Sequence, residues 1–590
     1  MSKFARMISV VAIVLMSASL GSGRAAGAIV RRVNAPYFAT TDLSQKFGEM
    51  AIFWFGRVTP TENYADVRVA YNDTEVYVYV AIFDRQLWYD TAPSPADLEN
   101  WDAVTLYLDR GGNAGTTPSA NTYRFVAQLN WWENRSAYQA AYRGNGSTWI
   151  SAALPFTTTT PYRGDGAPND GLDKRGWAAV FRVPFSSLGL SSSPTPGSVW
   201  GLGLALHDRD DAGGTFIAAK TWPETIEANQ ASTWGQLAFG LPAYTPPVAT
   251  SPQTTIVRHH LNGATVPDGG VGGYTNCGGG LDFWGEWGNR VYDTFPNGDL
   301  YGDFNIQNQS DLADWPCFSK YFVTFPLTAL PANKVIISAT LTLHQFGGSG
   351  GPGQATSSLI QVLTVNDAWN PATLSWNTAP LAVENVSRAW VEPLASACTW
   401  PCVPRTWDVS AAVAQAYANG TPLRLALYSA DSDYHSGKYF VSSDTGDWNA
   451  AGRPMLTVRW GEARPTVIKS VWPPIGSGGA TITYTLRVIG SGQPLTLTDD
   501  LPALIGAPID LQSTSGSIGY AAAGRRVTWT GAPAIGQAVT STIVVTIANV
   551  SGPLAIGNTA WLSDTLGLAS DSSASFIVDG YQTDLPLIWR

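Results

Sequence analysis

Few residues in this chain are placed for covalent chemistry. The five histidines, His207, His259, His260, His344 and His435, include no pair at the i, i+4 spacing that sets two imidazoles on one helix face for zinc. Gly347, Ser349 and Gly351 match the pattern of a nucleophile elbow. That motif needs a sharp strand-to-helix turn, however, and here the chain continues to Gly353 as a glycine-rich loop. Glycoside hydrolysis needs two carboxylates flanking the scissile bond; acidic residues are plentiful, but none falls in a recognisable catalytic motif. The expectation is a protein that is not an enzyme.

What the residues do offer is oxygen ligands and flat aromatic faces. Asp208, Asp210 and Asp211, followed by Gly213 and Gly214, form an oxygen-rich turn. Calcium prefers carboxylates and carbonyls, so one reading is a structural calcium site; the other is an ordinary solvated acidic turn. The spacing departs from the EF-hand loop, and Asp165, Asp170 and Asp173 pose the same choice. No other cofactor is called for. The 24 tryptophans could stack on the apolar face of a pyranose, and an arginine could donate several hydrogen bonds to its hydroxyls. Large aromatics are equally at home in a core. The four cysteines, Cys277, Cys317, Cys398 and Cys402, lie in the middle third, and an even number in an exported chain favours disulfides. Cys277 with Cys317 and Cys398 with Cys402 are the suggested pairs, with the other pairings open.

The elements that must position these groups are strands. At 590 residues the chain is too long for one core, so several domains are expected. Only 14% of residues are charged and the net charge is −10, which lacks the basic footprint that phosphate neutralisation demands; nucleic acid is excluded as a partner. Lys3 and Arg6, the apolar run from Met7 to Leu20 and the small residues up to Ala28 have the layout of a cleavable secretory signal over 1–28, so a secreted, extracellular or cell-surface location is expected. No later run reaches the roughly 20 apolar residues of a transmembrane helix.

From 29 to 244 short alternating runs such as Val67 to Phe83 and Ala103 to Leu108 are punctuated by Gly, Asn, Asp and Pro, the pattern of a β-sandwich. Residues 245–253, rich in Pro, Thr and Ser, read as a linker. A second sandwich follows over 254–462, with one helix expected at Asp408 to Ala418 behind a capping aspartate. Residues 463–578 are small and β-branched and read as an immunoglobulin-like domain, followed by a tail over 579–590. The fold class is all-β: three successive β-sandwich domains with no fixed-period repeat.

Three resemblances attach to these segments. Val76 to Asp84, Trp101 to Asp109, Tyr123-Arg124, Trp177 to Pro184, Gly203 to Asp210 and Trp234-Gly235 together resemble family 9 carbohydrate-binding modules, β-sandwiches with structural calcium that clamp a sugar between two tryptophans. The resemblance implies Trp222 as one wall, Arg124 as the hydrogen-bonding arginine, and Trp101 as the nearest match to the other wall, shifted by two residues. The family's carboxylate position is Thr105 here. Trp88, Trp131 and Trp132 compete for the stacking role.

The set Lys320-Tyr321, Ala339-Thr340-Leu341, Trp369-Asn370-Pro371, Leu374-Ser375-Trp376-Asn377, Trp407-Asp408-Val409 and Arg453-Pro454 resembles the DNRLRE-type domain, classed with family 96 carbohydrate-binding modules. There Trp369, Trp376 and Trp407 are expected to pack. Tyr484-Thr485-Leu486, Thr498 to Pro502, Val527-Thr528-Trp529 and Asn558-Thr559-Ala560 resemble an immunoglobulin-like repeat of bacterial surface proteins, whose expected role is spacing or adhesion. The implied function is a secreted bacterial protein that binds polysaccharide or cell-wall glycan, in polysaccharide catabolism or surface attachment. The alternatives are a structural adhesin or surface-layer component that binds no free sugar, and an accessory to a glycoside hydrolase system.

Overall fold

Strand alternation dominates the computed structural model, which describes residues 30–113, 115–272, 282–291, 303–308, 318–351 and 353–580. The expected signal segment, the end of the tail, and Cys277 and Cys317 lie outside the described residues. No helix among the described residues is long and apolar enough to cross a membrane.

The first sandwich packs a sheet containing Val199–Asp208, Ala103–Asp109, Thr122–Gln128, Gln139–Gly144 and Trp149–Ser151 against a second sheet built on Lys174–Pro184, Glu75–Phe83, Glu62–Tyr71 and Ala51–Thr59. Successive side chains point to opposite faces of a strand. Val104, Leu106 and Leu108 therefore enter the same core as Tyr123, Phe125 and Ala127, and the residues between them face outward.

The first two sandwiches are not separate beads. Arg32–Ala35 runs parallel to Gly235–Phe239 on one side and bridges to Ala382–Val391 at Glu384 on the other. One sheet of thirteen described strands thereby passes from Trp149–Ser151 of the first sandwich to Asp268–Gly272 of the second. The seam is pinned by side chains: Asn34 N–H donates to Asn385 Oδ1 at 2.7 Å, and Asn385 Nδ2 donates back to Asn34 O at 3.0 Å. A hydrophobic cluster also crosses the boundary, joining Ile52, Trp54, Tyr64 and Phe83 to Phe318, Phe322, Trp376 and Tyr428. The expected linker is likewise partly strand, because Ala249–Arg258 pairs with Met455–Ala463.

The second sandwich closes with a sheet on Lys334–Gly348, flanked by Met455–Ala463 and by Val403–Asp408. Its α-helix, Ser410–Ala418, the only one among the described residues, lies within the span the sequence expects, and Asp408 Oδ1 accepts from Ser410 N–H at 2.9 Å. Trp376 and Trp407 are buried, and Trp407 Nε1 donates to Ile360 O at 3.0 Å; Trp369 packs against Phe322. Cys398 and Cys402 form a disulfide with Cα atoms 5.1 Å apart. The third sandwich stacks the sheet of Thr466–Trp472, Thr481–Ile489, Ala538–Thr546 and Asp510–Ser513 on one containing Leu495–Asp500, Leu554–Asp564 and Ala569–Val578.

Candidate functional site

On the outer face of the first sandwich, strand register sets Tyr107, Arg124 and Tyr142 side by side, because Tyr107 pairs with Arg124 and Arg124 with Tyr142. One step along the same face Thr105 pairs with Ala205 and Ala103 with His207. Thr105 Oγ1 and His207 Nε2 are 3.0 Å apart. Glu99, on the short 3-10 turn Leu98–Asn100, leans over them. It accepts from the Thr105 hydroxyl, pairs with the Arg124 guanidinium and comes within 3.5 Å of His207 Nε2.

Burial pushes the Glu99 carboxyl up, but the hydrogen bond and charge of His207 together with Arg124 outweigh it and hold Glu99 well below the usual carboxylate range. The result is a half-buried, fixed pair of an anionic acceptor and a cationic donor. The Arg124 guanidinium lies 4.9 Å from the centre of the Tyr142 ring, and its Nε–H has no hydrogen-bond partner among the described residues.

Aromatic rings flank this pair. Trp149 and Trp234 are parallel within 5°, with centroids 6.5 Å apart, and Tyr107 sits 5.2 Å from Trp234 and 6.2 Å from Trp149. Trp149 Nε1 donates to Asn229 Oδ1 at 2.8 Å and Trp234 Nε1 to Glu227 O at 3.0 Å, so both indoles are fixed by loop residues. Trp234 and Tyr107 are buried, and Trp149 and Tyr142 keep part of a face exposed. A fixed ion pair beside partly open rings can hydrogen-bond hydroxyls and stack on an apolar sugar face together.

Of the residues expected in the stacking clamp, Arg124 lies at the centre of this face and Trp222 does not. Trp222 is 1% exposed, packs 4.2 Å from Phe53 and belongs to the core between the sheets. A Cβ on Gly235 would come within 2.7 Å of its ring, so the glycine is what admits the indole. The indole fills the core and leaves no face for a ligand. Trp101 is partly exposed and lies against the turn at Gly214, whose added Cβ would sit 3.5 Å from its ring; a clamp between Trp101 and Trp222 is not available. Glu99, Tyr107, Tyr142, Trp149 and His207 were not singled out from the sequence. Their only sequence signal is the strand alternation that turns Thr105 and Tyr107 away from the core. Which strands lie next to one another carries no such signal.

The acidic turn divides in a similar way. Asp208 meets Asp84 and Asp102 in a buried cluster in which one carboxylate oxygen from each lies within 4.8 Å of the other two. Asp208 ends the strand Val199–Asp208, Asp84 directly follows Glu75–Phe83 and Asp102 directly precedes Ala103–Asp109. Trp88 N–H and Arg209 N–H donate to Asp102 at 2.7 and 2.9 Å, Gln86 N–H donates to Asp84 at 3.1 Å, and Asp208 Oδ1 has no hydrogen-bond partner among the described residues. Burial raises Asp84 and Asp102 well above the usual range, with neighbouring carboxylates adding to it; Asp208 is pushed up to about 7 by burial and by Asp210. Asp211 is half-buried and caps its own turn, accepting from Gly213 N–H at 2.8 Å and Thr215 N–H at 3.2 Å. The expected trio thus does not act as one set: Asp208 joins the cluster, Asp210 adds charge beside it and Asp211 serves the turn. The Arg209 guanidinium is the nearby cation, itself lowered by burial.

Three converging buried carboxylates with one orphaned oxygen fit a hard cation, and an all-oxygen donor set fits calcium. Asp84, Asp102 and Asp208 would hold it, and what it would supply is charge neutralisation where three strands end beneath the outer face.

Comparison with known proteins places residues 304–458 in a match to the model of carbohydrate-binding module family 96. No curated protein matches the chain in sequence. Among solved structures, the chain is similar to a family 9 carbohydrate-binding module from Caldicellulosiruptor kristjanssonii in complex with cellotriose, at 15% identity, over 36% of this chain and 95% of that one, with a TM-score of 0.27. The N-terminal domain of the Streptococcus gordonii adhesin Sgo0707 aligns at 10% identity over 89% of each chain, with a TM-score of 0.17.

Proposed function

We propose that this chain is an exported carbohydrate-binding protein whose first sandwich holds polysaccharide on the face formed by Glu99, Arg124, Tyr142, Trp149 and His207. The observation that carries this reading is the Glu99–Arg124 pair, fixed beside partly open aromatic rings on the outer face of a sheet. Guanidinium and carboxylate would donate to and accept from adjacent sugar hydroxyls, and Trp149 would stack on the apolar face of a ring. The match of the second sandwich to a carbohydrate-binding family supports the same class of ligand. The calcium proposed at Asp84, Asp102 and Asp208 would be structural, stiffening the strand ends from which Asp102 and the His207 strand emerge. In this reading Glu99 accepts hydrogen bonds and performs no proton transfer, since Arg124 and His207 hold it ionised.

Affinity-gel electrophoresis of the full chain against a panel of soluble polysaccharides tests this. Wild type should be retarded by at least one glycan without releasing reducing ends. Arg124→Ala, shown to be folded by circular dichroism, should weaken retention by about tenfold or more, the value of a charge-assisted hydrogen bond. Trp149→Ala should weaken it comparably. Retention that survives both changes would move the site elsewhere, and no retention by any glycan would favour the structural adhesin. The continuous sheet and shared core of the first two sandwiches suit that second reading.

A further inference from the structure

Four aromatic rings break the surface of the second sandwich, on elements that the face of Glu99 and Arg124 does not use. Trp400 and Trp448 are 47% and 70% exposed, and Phe346 and Tyr439 are half-buried. Phe346 lies on Lys334–Gly348 and Tyr439 on Lys438–Val441, paired strands of one sheet. Trp448 stands on the 3-10 turn Asp447–Gly452, and Trp400 on the loop before Val403–Asp408. The rings form a run: the centres of Tyr439 and Phe346 are 6.3 Å apart, those of Phe346 and Trp400 5.6 Å, and those of Trp400 and Trp448 5.2 Å. The two indoles meet at 88°, so one can serve as a floor and the other as a wall. Both are held in place. The Cys398–Cys402 disulfide closes a turn with Trp400 as its middle residue; Cys402 N–H donates to Thr399 O at 2.9 Å across it, and Cys398 Sγ rests 4.0 Å from Phe346 O. Trp448 lies over Gly446, where an added Cβ would meet the indole at 2.8 Å.

Exposed apolar groups rimmed by polar atoms mark interaction sites, and the charges here narrow the partner. Arg405, Lys438 and Arg453, on the elements that carry the rings, already donate to Glu392 O, Thr356 O and Asp447. The run therefore offers aromatic faces and polar acceptors, with no cation set aside for an acidic sugar. From this arrangement we propose a second carbohydrate site, separate from the first: the run from Tyr439 through Phe346 and Trp400 to Trp448 takes an uncharged polysaccharide chain, and the Cys398–Cys402 disulfide is the device that presents Trp400. The two indoles stack on the apolar face and edge of a pyranose. Asp447, exposed next to Trp448 and bonded to Arg453 through Oδ1 at 2.7 Å, accepts from sugar hydroxyls at one end of the run. The Tyr439 hydroxyl, 3.5 Å from Ser349 Oγ, serves the other. Rings fixed before the ligand arrives lose little freedom when it binds. Opening the disulfide keeps Trp400 in the chain but releases it from its turn, so binding at this site weakens.

The test uses the full chain carrying Arg124→Ala and Trp149→Ala, which removes the first-sandwich site, in affinity gels containing hydroxyethylcellulose, glucomannan or alginate. A neutral glycan should still retard this chain, and alginate should not. Adding Trp400→Ala or Trp448→Ala should weaken that retention by about tenfold. Cys398→Ser with Cys402→Ser should weaken it several-fold, and a thiol reductant should do the same to the parent chain while leaving this variant unchanged. Circular dichroism should show every variant folded, since the altered side chains lie at the surface. The reciprocal chain, Trp400→Ala with Trp448→Ala, reads the first site alone, so the two sites can fail separately. Retention that survives the loss of either tryptophan, or retention by alginate alone, would overturn the proposal. Retention indifferent to the disulfide would overturn the role given to it. No retention of the Arg124→Ala, Trp149→Ala chain by any of these glycans would also overturn the site and leave the rings to a protein partner.

Discussion

Arg124 in the first sandwich and Lys320 in the second are cations on strands of the same continuous sheet, both set among aromatic rings, and they come to opposite ends. Arg124 is half-buried on an outer face beside Tyr142. Lys320 is sealed: its ammonium lies 3.5 Å from the centre of Trp376, 4.2 Å from Trp54 and 4.8 Å from both Tyr64 and Tyr428. It donates to the Tyr64 hydroxyl at 2.5 Å; Tyr64 and Tyr428 in turn donate to Asp66 at 2.6 and 2.8 Å. Trp54, Tyr64 and Asp66 come from the first sandwich; Lys320, Trp376 and Tyr428 come from the second. An aromatic box around a cation is thus no mark of a ligand site. Where two modules close over it, the same chemistry becomes a joint that fixes their relative orientation, and access to solvent separates the two outcomes.

Removing the sealed amine should have the largest effect. Lys320→Ala leaves the Tyr64–Asp66–Tyr428 network buried without its donor and opens a cavity among four rings, a loss of about 3–5 kcal/mol. Denaturant unfolding should show that loss in the transition of the first two sandwiches, with retention by polysaccharide unchanged under native conditions. Trp222→Ala should cost a similar amount, about 3–5 kcal/mol, as the price of a cavity in the core of the first sandwich. The exposed counterpart, Trp149→Ala, should cost about 0.5 kcal/mol or less in the same assay.

Chelation comes next. Removing divalent cations should destabilise the first sandwich by about 3 kcal/mol if calcium was present at a hundred times its dissociation constant, and lower its thermal unfolding temperature accordingly. Calcium should restore the transition, and Asp208→Asn should make the protein indifferent to chelator.

The smallest effect sharpens the comparison through pH. Burial pushes Asp268, sealed in the second sandwich, up to about 7, although Ser443 and Tyr321 donate hydrogen bonds to it. A carboxyl raised on folding holds its proton longer in the native state than in the unfolded chain, so its contribution falls as pH rises from the unfolded value of 3.8 towards 7. Glu99 is the reverse: held low, it stabilises above the unfolded carboxylate range, and that contribution is lost as pH falls. Urea midpoints measured against pH should therefore flatten on the rising limb for Asp268→Asn. For Glu99→Gln the difference from wild type should shrink as the solution is acidified.

The strands themselves were legible because alternation is a local property: Val104, Leu106 and Leu108 announce one buried face whatever lies beside them. The helix after Asp408 was legible for the same reason, its apolar spacing lying within one short segment, although Val409 and not Asp408 takes the N-cap position. The family pattern names both Arg124 and Trp222, and the structure sets Arg124 on the outer face but Trp222 in the core. An indole in the core and an indole in a sugar clamp have the same sequence signature, and only packing against Phe53 and Gly235 separates them. Asp84 and Asp102 were missed because they meet Asp208 from distant strand ends, with no fixed spacing for a motif to display.

The sequence by itself determined the all-β class and the supply of aromatic and acidic side chains, since each follows from composition and short-range periodicity. Tertiary structure alone decided that the first two sandwiches share one sheet, that Lys320 is enclosed while Arg124 faces outward, and that Asp84, Asp102 and Asp208 converge. Those outcomes depend on strand order and register. Both are settled by the packing of residues hundreds of positions apart, and no window along the chain contains them.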